Sequence, residues 1–483
     1  MVNLSSSVIA WLLTVLDIAV SVVASLHVIF YKRDTRSAIG WIGLIWLSPL
    51  LGTVVYVLLG INRIDRKARY LRRCQRSHAD RAGGDRAEHF EVAVAWDRPR
   101  FDSLVRLGDR VTRWPLLVGH ELEILDGGDR AYDAMLEAID GASRSIGLCT
   151  YIFDPDRVGQ RFVEALERAV GRGVAVRVLI DGIGARHSWR SVVGSLRRAG
   201  VPTAEFLPTL VPVWLPYLNL RNHRKILVVD GAVGFTGGLN ILEEYCATLD
   251  LEPARQKRDL HFQVTGPAVS HLQRVFADDW HFSTGESLEG DAWFPRLPAA
   301  GPILARGVVD GPDDDRDNLI NMILGALACA QTSVAVATPY FLPDVRLISA
   351  LEVAALRGVA VDIVLPSTNN HKLVQWASMT PVGQVLEGGC RVWFSPPPFD
   401  HSKVLVVDRT WTFLGSANLD PRSLRLNFEF NLECYGAELA ERIHDWIQNR
   451  IQTAAPVTVE WLNSRSLPVR LRDGTARLLS PYL

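Results

Sequence analysis

Two histidines, each followed at fixed spacing by a lysine and an aspartate, are the residues in this chain best suited to chemistry. They are His223, Lys225 and Asp230 in NHRKILVVDGAVGFTGGLN, and His401, Lys403 and Asp408 in DHSKVLVVDRTWTFLGSANLD. Each copy carries a later asparagine, Asn240 or Asn418. One histidine two residues from a lysine is a weak signal, but two full copies with their asparagines are a strong one. Phosphoryl chemistry uses this inventory. One histidine serves as nucleophile and the other as acid, while lysines and asparagine amides stabilise charge growing on the phosphate oxygens. No carboxylate cluster with ion-binding spacing and no zinc pattern accompanies the motifs, so the reading requires no metal and no other cofactor.

The runs KILVVD and KVLVVD are apolar and β-branched, which predicts buried strands on which positions i and i+2 share a face. That alternation aims each histidine and its lysine into one pocket. The aspartate that completes each motif falls at the strand end, where bracing a turn suits it better than touching substrate. Gly237, Gly238 and Gly415 would let backbone come close to a bound anion.

The elements that must hold these motifs are written twice. DGGDRAYDAMLEAIDGASRSIGLCTYIFDPD from Asp126 and DGPDDDRDNLINMILGALACAQTSVAVATPYFLPD from Asp310 both read as a turn, an amphipathic helix and a short strand. Each strand ends near an aromatic pair, Tyr151 with Phe153 or Tyr340 with Phe341. Helices then stop at Arg172-Gly173 and Arg357-Gly358, and the strands VAVRVLID and VAVDIVLP follow at once. The fold class is therefore α/β: two duplicated domains, residues 119–295 and 296–483, with helix-covered and largely parallel sheets related by an approximate two-fold axis.

Lysine plus arginine (52) nearly cancels aspartate plus glutamate (53), and a net charge of -1 speaks against a nucleic-acid partner. Six scattered cysteines with no paired spacing fit small buried residues in a reducing compartment. The N-terminal 1–62 segment is different in kind. Val8 to Tyr31 is apolar apart from Asp17 and His27, and Ala38 to Leu59 carries no charge. Each run meets the need for about 20 apolar residues to cross a bilayer, so two spans form a membrane anchor rather than a cleaved signal peptide. Asp17 is read as a helix-packing contact, and Pro49 as a kink. Arg63, Arg66, Lys67, Arg69, Arg72, Arg73 and Arg76 follow the second run and place the C-terminal part in the cytoplasm. Residues 63–118 read as a basic helix and a polar linker. LPTLVPVWLPYLNL, from Leu207, is apolar enough to dip into the headgroup region and admit lipid, or to pack on the sheet as a buried loop.

With both motifs, the segment RDLHFQVTGPAVSHLQRVFADDW from Arg258, GSANLDPRSLRLNFEFN and the apolar N-terminus in view, the chain resembles the phospholipase D superfamily. Within it, the chain is similar to the bacterial cardiolipin synthases that carry two N-terminal spans. The resemblance implies a multi-pass inner-membrane enzyme that transfers a phosphatidyl group from one phosphatidylglycerol to another through a phosphatidyl-histidine. It implies His223 as nucleophile, His401 as acid and then base, Lys225, Asn240, Lys403 and Asn418 as phosphate-binding groups, and Asp259 and Glu429 as carboxylates orienting the imidazoles. Lys257-Arg258-Asp259-Leu260-His261 and Asp400-His401-Ser402-Lys403 depart from the usual synthase wording without losing a reactive position. The alternative is a membrane phospholipase D that hydrolyses lipid to phosphatidic acid, which would need the same histidines. The residues leave the oligomeric state open.

Overall fold

The structure is a computed structural model that describes residues 6–32, 35–60, 98–186, 191–208, 220–312, 315 and 317–480. Cys74, the basic stretch Arg63 to Arg76 and most of the apolar segment from Leu207 lie outside these residues. Two units are distinguished, Met1–Ser77 with Thr209–Asn219, and His78–Pro208 with Leu220–Leu483.

The larger unit is built on the duplicated pattern. Its first half supplies β1 (Leu117–Asp126), β2 (Ser145–Thr150), β3 (Ala175–Asp181), β4 (Thr203–Phe206), β5 (Ile226–Val229), β6 (Val233–Gly237), β7 (Lys257–Arg258) and β8 (Leu260–Thr265). The second supplies β9 (Ile303–Asp310), β10 (Ser333–Ala337), β11 (Ala360–Pro366), β12 (Arg391–Ser395), β13 (Phe399–Asp400), β14 (Val404–Val407), β15 (Trp411–Gly415), β16 (Glu429–Tyr435) and β17 (Ala455–Val457). One 15-stranded sheet runs β17-β12-β11-β10-β14-β15-β16-β9-β1-β8-β6-β5-β2-β3-β4, and β13 pairs with β7 beside it. Apart from β17 at the outer edge of the second half, the order reads the same from either side of the β9–β1 junction, as two copies facing each other across an approximate two-fold axis require.

The sheet corrects the expectation of a largely parallel arrangement. Parallel pairing is confined to β2–β3–β4 and β10–β11–β12, where helices cross over; the other neighbours in the sheet run antiparallel. The cause is local. β5 and β6, like β14 and β15, are joined by tight turns, and a tight turn can only return the chain antiparallel. Asp230 and Gly231, and Asp408 and Arg409, have positive φ in these turns, the mirror-image geometry whose twist suits a hairpin.

Local sequence repeats produce local structure repeats. Helices Arg157–Gly171 and Val345–Leu356 each end at an arginine followed by a positive-φ glycine, Gly173 or Gly358. Arg172 donates to the carbonyls of Ile139 and Ala142, and Arg357 to those of Leu327, Ala328 and Ala330, so each guanidinium satisfies the end of the preceding helix. Cys149, Cys246, Cys390 and Cys434 are buried free thiols, and Cys329 is half-buried.

The 63–118 segment is only partly a linker. Helix Arg98–Val111 buries Phe101 and Leu104 in the core of the second half. Asp109 and the Val105 carbonyl accept from the fully buried Arg306, at 2.5 and 3.3 Å. Arg306 also donates to Glu433, which Trp411 and Tyr435 reach at 3.4 and 3.2 Å. The helix therefore belongs to the catalytic unit, although its composition reads as connection.

In the N-terminal unit, helix Ser6–Tyr31 exposes Leu13, Leu16, Val23, Ile29 and Phe30, and its Trp11–Tyr31 portion is long and apolar enough to cross a membrane. The second apolar run is not one such helix. It divides at Ser48 into Thr35–Leu47 and Pro49–Val55, because Pro49 has no N–H to continue the ladder. Gly52 lies so near the first piece that a Cβ there would meet the Leu44 carbonyl oxygen at 2.2 Å. The break falls at the proline read as a kink, and among the described residues one helix is long and apolar enough to span. Trp46 donates to Ser25 at 3.1 Å, and His27 Nδ1 lies 2.7 Å from the Tyr56 hydroxyl. Asp17, Ser21 and Ser25 follow one another at helical i+4 spacing, which puts Asp17 on the same packed face as the Ser25 contact.

Candidate active site

Each motif histidine and lysine lies just before its strand, because the chain there leaves the sheet to pair with the other half. His223 donates its backbone N–H to Phe428 O at 3.0 Å, and Phe428 donates back to Arg221 O at 2.8 Å. His401 likewise donates to Arg258 O at 2.7 Å, continuing the β7–β13 pairing of Phe399 with Lys257 and Asp400 with Arg258. The two crossings have one result. Each imidazole is held by a carboxylate from the opposite half. His223 Nδ1 lies 2.9 and 3.1 Å from the two Glu429 oxygens, and His401 Nδ1 lies 2.8 Å from Asp259 Oδ2.

His223, Lys225, His401, Lys403, Asp259 and Glu429 are all buried. The charges of Lys225 and Lys403 bear on His223, and those of Lys403, Lys225 and His223 on His401, so the groups lie within electrostatic range of one another. Lys225 Nζ donates to the His223 carbonyl at 2.7 Å, and Lys403 Nζ to the His401 carbonyl. Lys403 Nζ is also 2.8 Å from His401 Nδ1. One ring nitrogen cannot give its proton to Asp259 and accept another from Lys403. The Asp259 contact matches the other half, so Nδ1–H belongs to Asp259 and the ammonium to the carbonyl. Tyr151 and Tyr340 flank the pair, with ring centres 5.3 Å from His223 and 6.0 Å from His401.

Burial holds His223 down to about 4 and His401 well below the ordinary histidine value, so both imidazoles are neutral near pH 7. With Nδ1–H given to the carboxylate, each Nε2 keeps a lone pair, as a nucleophile or base requires. Burial also lowers Lys225 to about 7 and Lys403 to about 8. The carboxylates differ. Burial pushes Asp259 up to about 7, where Leu260 N–H and His401 are its hydrogen-bond partners. Glu429 lies below its ordinary value despite burial, because His223, Lys225 and the Ser416 hydroxyl favour its charge, and Asn427 donates to it at 3.1 Å.

Asp230 and Asp408 are brought to a different place. Asp230 accepts from the N–H groups of Ser143, Arg144 and Ser145, and Asp408 from those of Gln331, Thr332 and Ser333. Arg100 is ion-paired with Asp408. Both aspartates tie the motif hairpin to the turn before β2 or β10, which corrects their grouping with the catalytic residues and agrees with a turn-bracing role. The glycines are corrected too. Gly238 makes room for the Asp259 carboxylate, since a Cβ there would lie 2.3 Å from both oxygens. Gly415, at φ 152, gives way to the Phe430 carbonyl and Asn431. Asn240 Oδ1 accepts from Ile152 N–H at 3.1 Å, and buried Asn418 is within reach of Asp420.

Reading residues by motif missed Arg224, which lies between His223 and Lys225. Its guanidinium is buried on Asp279 at 2.5 and 2.7 Å, and Asn222 Nδ2 donates to the same carboxylate at 2.9 Å. Asn222 N–H donates to Asp181 at 2.8 Å. These bonds fix the crossing strand. An arginine flanked by two inward-facing site residues was the available signal, because alternation sends it to the opposite, equally buried face.

Gly238→Ala is expected to dislodge Asp259 from His401 and to lower turnover on the order of 100-fold, the scale of an ångström-sized misplacement, without unfolding the protein. Turnover measured beside a thermal melt checks this; an active variant would show that Asp259 can relax without consequence.

Fold and site together define a duplicated α/β phosphodiester enzyme in which two buried imidazoles are each held by a carboxylate of the opposite half, with two buried lysines nearby. The cardiolipin synthase, PLD-like domain family matches residues 135–280 and 323–451, and a phospholipase D-nuclease N-terminal family matches residues 19–60. A cardiolipin synthase of Geobacillus thermodenitrificans is 32% identical over 455 residues, covering 94% of this chain and 90% of the relative. One from Listeria monocytogenes is 30% identical over 489 residues, covering 98% and 99%. The crystal structure of phosphatidylserine synthase from Haemophilus influenzae shares the fold, with a TM-score of 0.62 at 16% identity over 79% of this chain and 100% of that one. The chain belongs to the cardiolipin synthase family of phospholipase D-like enzymes. It is a phosphatidyltransferase acting on membrane phospholipid, and its apolar N-terminal helix associates it with the membrane.

Proposed function

We propose that the protein makes cardiolipin from two molecules of phosphatidylglycerol by way of a phosphatidyl-histidine. His223 Nε2 attacks phosphorus, the bond from phosphorus to the glycerol oxygen breaks, and His401, which takes up a proton at Nε2 once the anionic phosphodiester lies beside it, delivers that proton to the departing glycerol. A second phosphatidylglycerol then gives its hydroxyl proton to His401 and attacks phosphorus, and the bond to nitrogen breaks. The observation carrying this reading is the crosswise holding of both imidazoles, His223 by Glu429 and His401 by Asp259, with the charges of both lysines bearing on them. The difference between the carboxylates supports His223 as nucleophile, because the firmly ionised Glu429 stabilises positive charge on the attacking ring more than Asp259 can. Lys225 and Lys403 stabilise the phosphate oxygens, with Asn240 and Asn418 beside them.

The enzyme sits in the bacterial inner membrane, held by its first helix with the kinked second apolar segment, and the basic residues after that segment keep the catalytic part in the cytoplasm. It needs no nucleic-acid partner. Purified protein given phosphatidylglycerol in vesicles should yield cardiolipin plus glycerol; phosphatidic acid plus glycerol would instead establish hydrolysis.

Lys225→Ala and Lys403→Ala are each expected to lose on the order of 3 kcal/mol of transition-state stabilisation, the scale for one preorganised charge-stabilising group. The sign of the pH dependence follows from their lowered values. The ammonium forms are present below about 7 and about 8 and are lost above them, so kcat/KM should decline on the alkaline side. A kcat/KM profile still rising well above those values would contradict the cationic role.

A further inference from the structure

Helix Leu467–Leu478 wears its apolar side outward. Leu467, Leu471 and Leu478 recur at i, i+4 and i+11, so they share one face, and they are 68, 61 and 76% exposed. Gly474 lies on the same face, where an added side chain would meet open space. The inner face holds Ala476 and the Asp473 carboxylate, both buried. A single exposed leucine is ordinary on a protein surface, but three aligned on one helix mark a face that meets something apolar.

Charge says what that partner is. Asp473 is spent on Arg465 and Arg472, at 2.6 and 2.7 Å, and the Arg472 guanidinium lies 4.4 Å from the centre of the Trp376 ring. Arg470 and Arg477, at i and i+7, are exposed along one border of the leucine face, and among the described residues neither has a carboxylate partner. Leucines bordered by arginines suit the boundary between acyl chains and anionic headgroups, where the guanidinium groups reach phosphate. A second copy docking through the same face would instead bring the arginines of both copies into one contact.

The helix sits where such docking bears on catalysis. Ala476 packs with Leu342, Val374, Trp376 and Ala377, at the start of helix Lys372–Glu387. Leu342 comes two residues after Tyr340, whose ring centre is 6.0 Å from that of His401. The ring of His371, which precedes that helix, is 5.8 Å from the Tyr340 ring. The leucine face is therefore carried by elements that also surround His401.

We propose that helix Leu467–Leu478 lies in the phospholipid surface, with Leu467, Leu471 and Leu478 among the acyl chains and Arg470 and Arg477 on headgroup phosphates. Docked in this way, it holds the His401 side of the catalytic unit against the lipid it consumes. An anionic surface is favoured over a zwitterionic one, because the arginines add attraction only where the lipid carries net negative charge.

The test uses the full-length protein in vesicles of phosphatidylglycerol and phosphatidylcholine. A photo-crosslinking phenylalanine analogue replaces Leu471 or, as a control, the exposed Glu441 of helix Ala437–Thr453. Illumination should give a lipid adduct at residue 471 and none above background at residue 441. Arg470→Gln together with Arg477→Gln should cut the yield at 471 by roughly tenfold, in line with the attraction of two cations to an anionic surface. An adduct at 471 with protein, whether another segment of the chain or a second copy, overturns the inference, as does no adduct or a yield that ignores the arginines. Leu471→Ser together with Leu478→Ser should also lower, by roughly tenfold, the ratio of phosphatidylglycerol consumed from vesicles to short-chain phosphatidylglycerol consumed as dissolved monomers. Loss of folded protein cancels in that ratio, and a value within about twofold of the wild type would show that the helix does not present the site to lipid. Consumption is counted whatever the product, so the result does not depend on transfer prevailing over hydrolysis.

Discussion

His223→Ala should abolish phosphatidyl transfer, with a fall on the order of 10^4-fold or more, the scale of removing a nucleophile. His401→Ala should be similarly inactive on phosphatidylglycerol, so turnover alone does not separate their roles. A substrate with an activated leaving group does. When the leaving phenolate needs no proton, His401→Ala should still release about one equivalent per enzyme and then stall as the phosphatidyl-enzyme, whereas His223→Ala should release none. The assignment rests on Glu429, held ionised against His223 by Ser416 and Asn427, against Asp259, pushed up to about 7 beside His401. A burst from His223→Ala with none from His401→Ala would reverse the two roles.

The motifs carried the chemistry in the sequence because histidine, lysine and asparagine types at repeated spacing are local facts. The duplication was legible for the same reason: turn, helix, strand and glycine cap recur in order, and the structure repeats them down to Arg172 and Arg357 capping the preceding helices. What the sequence concealed is non-local. Which carboxylate serves which imidazole depends on Asn222 meeting Phe428 and Phe399 meeting Lys257, contacts between residues far apart in the chain. Sheet direction was misjudged because helix-strand alternation marks the β2–β3–β4 and β10–β11–β12 steps, while the hairpins at Asp230 and Asp408 reverse the chain without a helix. Helix Arg98–Val111 is hidden within the 63–118 segment because the run HADRAGGDRAEH, poor in large apolar residues, marks that segment as a linker, although Phe101 and Leu104 make one buried stripe. The bend at Pro49 was legible because proline lacks the N–H the helix needs, whereas the close approach of Gly52 to Leu44 across that bend is a contact that composition does not show.

Glu429→Gln should have the next largest effect, a loss in kcat on the order of 10^3-fold. The amide can still accept from His223 Nδ1–H, but it removes the charge that stabilises the ring as it gains positive character at phosphorus, and it can present its NH2 group instead, turning the imidazole into the wrong tautomer. Asp259→Asn should cost less, because the carboxylate it replaces is already held up to about 7 by burial and bears only part of its charge at neutral pH. The two substitutions should therefore differ in pH dependence as well as in size. Asp259 is ionised above its raised value and protonated below it, so the ratio of wild-type to Asp259→Asn activity should shrink as pH falls through about 7. Glu429 sits below the ordinary carboxylate value, so the corresponding ratio for Glu429→Gln should stay flat over the same interval. Parallel pH profiles would mean that the two carboxylates are electrostatically equivalent, and the asymmetry that makes His223 the nucleophile would then have no physical basis.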